Sequence, residues 1–469
     1  LINRLRSTVR TSAQAMRQRG SFAQNFAVTL SGTTIVAAIG FALTPIMSRI
    51  YPPASYGQFA VFGSVVGNLN LLTTLGYPGA MLMPKLRERF LALVHLSLLL
   101  TMTAIVVLSG LLVFAAEPLR QLLHLEGVGG WLYTVPLLLL LFNLNAIMFT
   151  WYTRDKAFTK RAGVDIATTL SGRAFTIGYG WWFGGPVTGL ILGEFFNRIT
   201  AMTGLLVGGI WRQTGELWRS FNWQTIKSVA REYKDFPLYI LPAGYVNTVS
   251  SQLPIFALTT GFGSTVVGLY SFSVSLLEIP INLIGNAISP VFAQKAIETH
   301  QNQPERLPVI TLDLYYKLLY LGILPFGGIT VFGDWIFKIV FGARWEAAGM
   351  FTAFLGYYYV FKLTSLATSG IYTVYEKQRY QLIANAGILV ARAVGLGIGL
   401  YLHNVKLAML LFGLASMLGS FITDLHILSL LRLPVGRIAL RSIALTVGVT
   451  AVLYVLRLGI ESLHLSFLQ

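Results

Sequence analysis

No cysteine occurs among the 469 residues. Disulfides, thiolate metal sites and cysteine nucleophiles are thereby excluded. Charge is scarce as well. Asp, Glu, Lys and Arg make up 11% of the chain, where a soluble domain carries about 25%. A water-soluble globular protein is ruled out. Disorder is ruled out too, because it needs low hydrophobicity, and this chain is 55% hydrophobic with a mean hydropathy of +0.66. The six histidines show no metal-ligand spacing. No glycine-rich loop precedes a Lys-Ser/Thr pair, which excludes a P-loop ATPase. The run Gly395, Gly397, Gly399 imitates a phosphate loop but lies inside an apolar stretch with no strand before it. It reads as helix packing. What remains is an all-α membrane protein that crosses the bilayer many times.

A helix needs about 20 apolar residues to cross the hydrocarbon. Thirteen such stretches are read, near 26–50, 57–82, 91–115, 131–152, 164–183, 186–211, 236–261, 264–294, 309–333, 345–375, 381–402, 404–430 and 438–458. They are too long for barrel strands. The first is longer than the 7–15 residue core of a cleavable signal. The residues after Arg457 read as the opening of a fourteenth helix. Five domains follow: a basic segment at 1–25, a six-helix bundle at 26–211, an amphipathic linker at 212–235, a second six-helix bundle at 236–430, and an additional C-terminal span at 431–469.

The net charge of +17 comes from 35 Lys and Arg against 18 Asp and Glu. In a membrane protein such an excess marks cytoplasmic loops before it marks nucleic acid. With residues 1–25 inside, the inside loops hold 24 of the 35 bases and the outside loops hold six: Arg49, Arg120, Lys338, Arg344, Lys406 and Arg457. The expected topology has the N-terminus in the cytoplasm. No nucleic-acid partner is needed to explain the charge. The longest outside loop, 116–130, leaves no room for an outside catalytic domain, and the chain is not read as an enzyme.

The basic segment at 1–25 is a cytoplasmic tail or a helix lying on the membrane. In the linker, Trp218, Phe221, Ile226, Val229 and Tyr233 recur near helical spacing, with Asn222 as N-cap. It reads as an interfacial helix joining two halves. The halves begin alike. Pro45–Gly57 and Pro254–Gly268 each run from a helix end through a short turn to a glycine that opens the next helix. Such internal repeats are the pattern of transporters built from related halves.

Five bases, Arg173, Arg198, Lys317, Lys362 and Arg392, fall inside predicted helices. Facing lipid, they would together cost on the order of 15 kcal/mol, as much as a whole domain's stability. They must face a watery cavity, pair with acids or snorkel. The candidate acids are Glu194, Glu278 and Asp424, with Asp165 and Asp313 shallower. Counting from the turn at Gly185 puts Arg173, Glu194 and Arg198 at one depth. They read either as a structural ion network or as one carboxylate shared by two arginines, a candidate protonation switch. Counting from Gln378 puts Lys362 and Arg392 at one depth. They read as an anion site unless Asp424 or Glu278 neutralises them from another helix. Lys317 either snorkels or, with Tyr315, Tyr316 and Tyr320, meets a sugar. Glu278, just before Pro280, is a candidate coupling-ion site or a kinked helix with a protonated acid.

Three segments resemble a known family. PIMSRIYPPASYGQFAVF from Pro45 resembles the first loop of the polysaccharide flippases. The stretch from Phe236 to Ala296 resembles their seventh and eighth helices, and FGARWEAAGMF from Phe341 the loop before their tenth. This family belongs to the multidrug/oligosaccharidyl-lipid/polysaccharide exporter superfamily. The resemblance implies two six-helix bundles related by a pseudo-two-fold axis around a central cavity, plus one or two C-terminal helices here. It implies a flippase of the bacterial inner membrane. The substrate would be an undecaprenyl-diphosphate-linked oligosaccharide, moved by alternating access with H⁺ or Na⁺ coupling and no other cofactor. Membrane lipid and polysaccharide polymerases are the expected partners. Arg49 falls on the family's loop arginine. The substrate-binding candidates are then Arg49, Arg173, Arg198, Lys317, Lys362 and Arg392, and the ion-coupling candidates are Glu194, Glu278 and Asp424. The alternatives are a drug or metabolite antiporter of the same fold and a membrane enzyme acting on lipid-linked sugars. A cavity for cationic drugs should be acidic, and the five intramembrane bases point the other way.

Overall fold

In lipid every backbone N–H and C=O must find its partner within the span, so apolar runs of this length fold as helices. The computed structural model describes residues 22–122 and 126–467. Most of the basic segment at 1–25 lies outside them. No strand occurs among the described residues. The long helices are α1 (Phe22–Ile50), α2 (Pro53–Thr73), α3 (Arg87–Leu122), α4 (Val135–Arg154), α5 (Phe158–Phe183) and α6 (Val187–Val207). After these come the short connector helix α7 (Trp223–Glu232), then α8 (Leu241–Pro280), α9 (Asn286–Asn302), α10 (Leu307–Phe341), α11 (Glu346–Thr368), α12 (Gln378–Tyr401), α13 (Val405–Leu430) and α14 (Val435–Phe467). Nine stretches among the described residues are long and apolar enough to cross a membrane. This is a multi-pass membrane protein.

Within α8 the helix breaks at Gly263, whose φ of 79° and ψ of 175° only glycine adopts readily. The break falls between the seventh and eighth expected stretches. A π-helical turn at Ile281–Gly285 then carries the chain from α8 into α9. The end of the chain differs from expectation. Arg457 does not close a helix, because α14 runs on unbroken to Phe467.

The described residues form two compact units. The first holds the chain up to Tyr51 together with Val61–Val249; the second holds Pro52–Ala60 together with Ser250 onward. In the first, α5 and α6 pack through small residues. A side chain on Gly193 would strike Thr176, and one on Gly180 or Gly189 would strike Tyr51. Tyr51 donates to the Thr176 carbonyl at 2.7 Å. The base of this unit is an apolar cluster that includes Phe90, Trp151, Tyr77 and Leu205.

The linker is not a free surface helix. Asn222 caps α7, accepting from the backbone N–H groups of Gln224 and Thr225. Ile226 and Val229 are buried in the same apolar cluster as Phe90. Glu216 and Glu232 reach back to Arg87 and Arg89 at 2.6 and 2.8 Å.

In the second unit, Gly57 and Gly268 lie backbone to backbone. A Cβ on Gly57 would collide with the Ser264 carbonyl and the Gly268 nitrogen, and one on Gly268 with the Pro53 carbonyl and the Gly57 nitrogen. These are the two glycines of the internal repeat. Around Arg392 the packing is also close: Gly395 meets Leu411 and Gly399 meets Ala408, while Gly397 faces open space. The helix-packing reading of that run accounts for the contacts.

Candidate functional site

Four helices of the second unit converge on Arg392 of α12. Its Nε donates to the Ser416 hydroxyl on α13 at 2.8 Å, Nη1 to Ser250 on α8 at 3.1 Å, and Nη2 to the Tyr358 hydroxyl on α11 at 3.1 Å. The guanidinium lies over the rings of Tyr358 and Phe412, 5.3 and 5.5 Å from their centroids. No carboxylate among the described residues stands within ion-pair distance of it. A guanidinium has five N–H donors. Three are engaged, all by neutral hydroxyls, which hold the group in place without cancelling its charge.

One turn past Tyr358, Lys362 meets Glu278 of α8 at 2.5 Å. The Tyr359 hydroxyl donates to the same carboxylate oxygen at 3.1 Å. Both charged side chains are about a quarter exposed, 28% for Lys362 and 27% for Glu278. Lys362 is therefore not a free partner of Arg392, as the depth count alone suggested. A carboxylate 84 residues away in sequence neutralises it. The two bases still share one environment. Lys362 Nζ lies 5.7 Å from the centroid of the Tyr358 ring that Arg392 also covers. Buried Tyr270 stands within electrostatic reach of both Arg392 and Glu278.

Asp424 of α13 neutralises neither base. It is 1% exposed. Its Oδ2 accepts from the Thr364 hydroxyl at 2.5 Å, while Oδ1 has no hydrogen-bond partner among the described residues.

In the first unit, Arg198 pairs with Glu194 one turn before it at 2.7 Å and lies 3.8 Å over the Phe142 ring. Asn145 donates to the Arg198 carbonyl. Arg173 does not share this carboxylate. Its guanidinium turns to α1 and lies against the Met47 sulfur at 2.8 Å. Equal depth put the three on one level, but Arg173 points to a different side of the bundle, so the expectation of one acid between two arginines fails. Lys317 pairs with exposed Asp313 at 2.7 Å and is itself mostly exposed. Arg49 is exposed at the end of α1.

The residues that hold Arg392, namely Ser250, Ser416 and Tyr358, were not singled out from sequence. Their one signal is a hydroxyl in an otherwise apolar helix. No cluster of three or more His, Cys, Asp or Glu suited to a metal occurs among the described residues.

Residues 46–349 match the family described as polysaccharide biosynthesis protein. The chain belongs to this polysaccharide biosynthesis protein family. Among curated relatives of similar sequence, the amylovoran biosynthesis protein AmsL of Erwinia amylovora is 23% identical over 52% of this chain and 61% of its own length. The succinoglycan biosynthesis transport protein ExoT of Rhizobium meliloti (strain 1021) is 22% identical over 66% of this chain and 60% of its own. The chain thus matches about three-fifths of the length of these relatives. Among solved structures, the inward closed form of the lipid II flippase MurJ is similar, with a TM-score of 0.64 and 13% identity over 92% of this chain and 93% of that one. An inward-facing multidrug resistance MATE transporter of the MOP superfamily reaches 0.63 with 14% identity, over 87% and 99%. At these identities the likeness shows the fold: this member of the polysaccharide biosynthesis family is built like the MOP transporters.

Proposed function

We propose that this protein is a flippase carrying an undecaprenyl-diphosphate-linked oligosaccharide from the cytoplasmic to the outer leaflet of the bacterial inner membrane. It works by alternating access, with the N-terminus in the cytoplasm. The observation that carries this is the uncompensated charge of Arg392. An apolar unit tolerates a guanidinium without a counter-ion when an anion visits it. Two of its N–H donors remain for a phosphate oxygen, and a planar fork suits phosphate. Tyr358, only partly buried, is the ring beside Arg392 against which a sugar would pack.

Lys362 is the second cation of the site, held in reserve by Glu278. Arg49, Arg173, Arg198 (carried by Glu194) and Lys317 are further candidate contacts for the anionic substrate at other stages of transport. Coupling to H⁺ or Na⁺ falls to Asp424, whose one unpaired oxygen would take the ion, with Glu278 and Glu194 as the other carboxylates. A polysaccharide polymerase would receive the product. The antiporter reading of the same fold calls for unpaired acids around a cationic drug, and the charge without a counter-ion in the Arg392 cluster is a base.

The test is native mass spectrometry of the purified protein titrated with undecaprenyl-diphosphate-linked sugar and with a cationic dye. The lipid should bind, and Arg392→Ala should weaken it at least tenfold while Arg392→Lys retains part of it. Dye binding without lipid binding would overturn the proposal.

A further inference from the structure

The connector, residues 210–235 of the first unit, pairs two of its acids and leaves its bases without carboxylates among the described residues. Of its acids, Glu216 and Glu232 are taken up by Arg87 and Arg89 of the first unit, and Asp235 is exposed. Its five bases, Arg212, Arg219, Lys227, Arg231 and Lys234, meet no carboxylate within ion-pair distance among the described residues, although acids lie close by in sequence. On α7 the buried positions are Ile226 and Val229. Trp223, Lys227 and Arg231 follow one another at four-residue spacing along the exposed side of the helix, turned away from Ile226 and Val229, with Lys234 in the turn after it. Lys227 lies over the Trp223 ring at 5.6 Å and Arg212 over Trp211 at 5.7 Å. Trp211, Trp218 and Trp223 are 57%, 81% and 52% exposed.

Exposed tryptophans beside unpaired bases are the combination that suits a bilayer interface. The amphipathic ring sits at headgroup level, and each base near an anionic surface adds to the attraction. We infer that the Trp223–Lys227–Arg231 flank of the connector, with Lys234, is a docking surface for anionic phospholipid headgroups. It fastens the connector to the leaflet on its own side. This is independent of what the protein transports.

The test uses the full chain in two formats. Native mass spectrometry of delipidated protein should show phosphatidylglycerol binding more tightly than phosphatidylcholine. The variant Lys227→Gln with Arg231→Gln and Lys234→Gln should weaken phosphatidylglycerol on the order of a hundredfold, from three surface charges, and leave phosphatidylcholine unchanged. A control that removes as many charges elsewhere, Lys338→Gln with Arg344→Gln and Lys406→Gln, should leave both unchanged. In vesicles, adding phosphatidylglycerol to phosphatidylcholine should protect Lys227 and Lys234, but not Lys406, from an amine-reactive label. Equal phosphatidylglycerol binding by wild type and connector variant would overturn the inference. So would an equal loss in the control, which would mean that net charge alone is at work. Labelling of Lys227 that ignores lipid composition would overturn it as well, and would leave the flank to a protein partner.

Discussion

At Gly57 there is no volume for even one methyl group. The Ser264 carbonyl and the Gly268 backbone occupy the place a Cβ would take. Gly57→Ala should lower stability by at least about 2 kcal/mol, the scale of overpacking a tight contact. Gly63, one and a half turns later on the same helix, faces open space. Gly63→Ala should be neutral or stabilising by up to about 1 kcal/mol, because mid-helix glycine is the poorer helix former. Unfolding temperatures of the two variants in detergent decide it, and similar losses would contradict the packing described. Charge can be tested at the same scale. With Glu278→Gln, Lys362 loses its carboxylate and becomes a second free cation beside Arg392. Affinity for the diphosphate lipid should rise roughly tenfold, about 1.4 kcal/mol, and fall back when Lys362→Ala is added. The sequence showed that Arg392 and Lys362 lie deep in apolar helices. It did not show that Lys362 would face a carboxylate and Arg392 only hydroxyls. Counting residues from a turn gives depth along a helix, while pairing depends on rotation about its axis. For that reason Glu194 and Arg198, on one helix, were legible, and Lys362 with Glu278, on two, were not.

Among the elements, α14 is fastened mainly by polar staples. Arg457 forks onto Asp334 of α10 at 2.7 and 3.0 Å and also donates to the Val331 carbonyl. Tyr315 bonds Ser442 at 2.9 Å, and Tyr357 bonds Thr450. A double-mutant cycle with Arg457→Leu and Asp334→Leu should give a coupling on the order of 2 kcal/mol, as for hydrogen bonds between charged groups. A value near zero would make the fork incidental. The connector responds to acid. Hydrogen bonding from Arg87 holds the Glu216 carboxyl below its ordinary 4.5. A carboxylate with a depressed folded-state pKa contributes stability that is complete above the unfolded pKa. That contribution is lost as pH falls through the folded value. Protease cleavage within 210–222 should therefore increase below about pH 4.5. Glu216→Gln should be cut readily at neutral pH and show no further acid-dependent step. The amphipathic spacing of the connector and the cap at Asn222 were readable in sequence. Its docking against Phe90 and Trp151 was not, because that needs side chains from three separate helices.

At the scale of the molecule, the thirteen apolar stretches read from sequence correspond to thirteen helical rods among the described residues, once α8 is divided at Gly263 and its second part is joined to α9. Hydropathy reads this well because lipid leaves helices no alternative. It reads ends poorly, as the passage of α14 through Arg457 shows: one base near an interface does not stop a helix that can staple it. Deleting Val435–Phe467 should leave both compact units folded and the diphosphate-lipid affinity unchanged, since no residue of the Arg392 cluster lies there. It should lower the unfolding temperature, because buried Tyr315 and half-buried Asp334 lose their partners. Adding Tyr315→Phe and Asp334→Asn should recover part of that loss. Aggregation of the truncated protein that those two changes leave unrelieved would give α14 a larger share in the fold.

The meeting of Gly57 and Gly268 also has a schedule. The first turn of α2 belongs with the second compact unit, and the backbone it rests on lies 211 residues further along the chain. At ~5–20 residues per second of synthesis, that first turn leaves the ribosome roughly 10–40 s before its resting place exists. Through that interval a proline-led helix end with nothing against it must wait in or beside the insertion machinery. Assembly of the N-terminal helices is thus finished by the second half of the chain, not by the first.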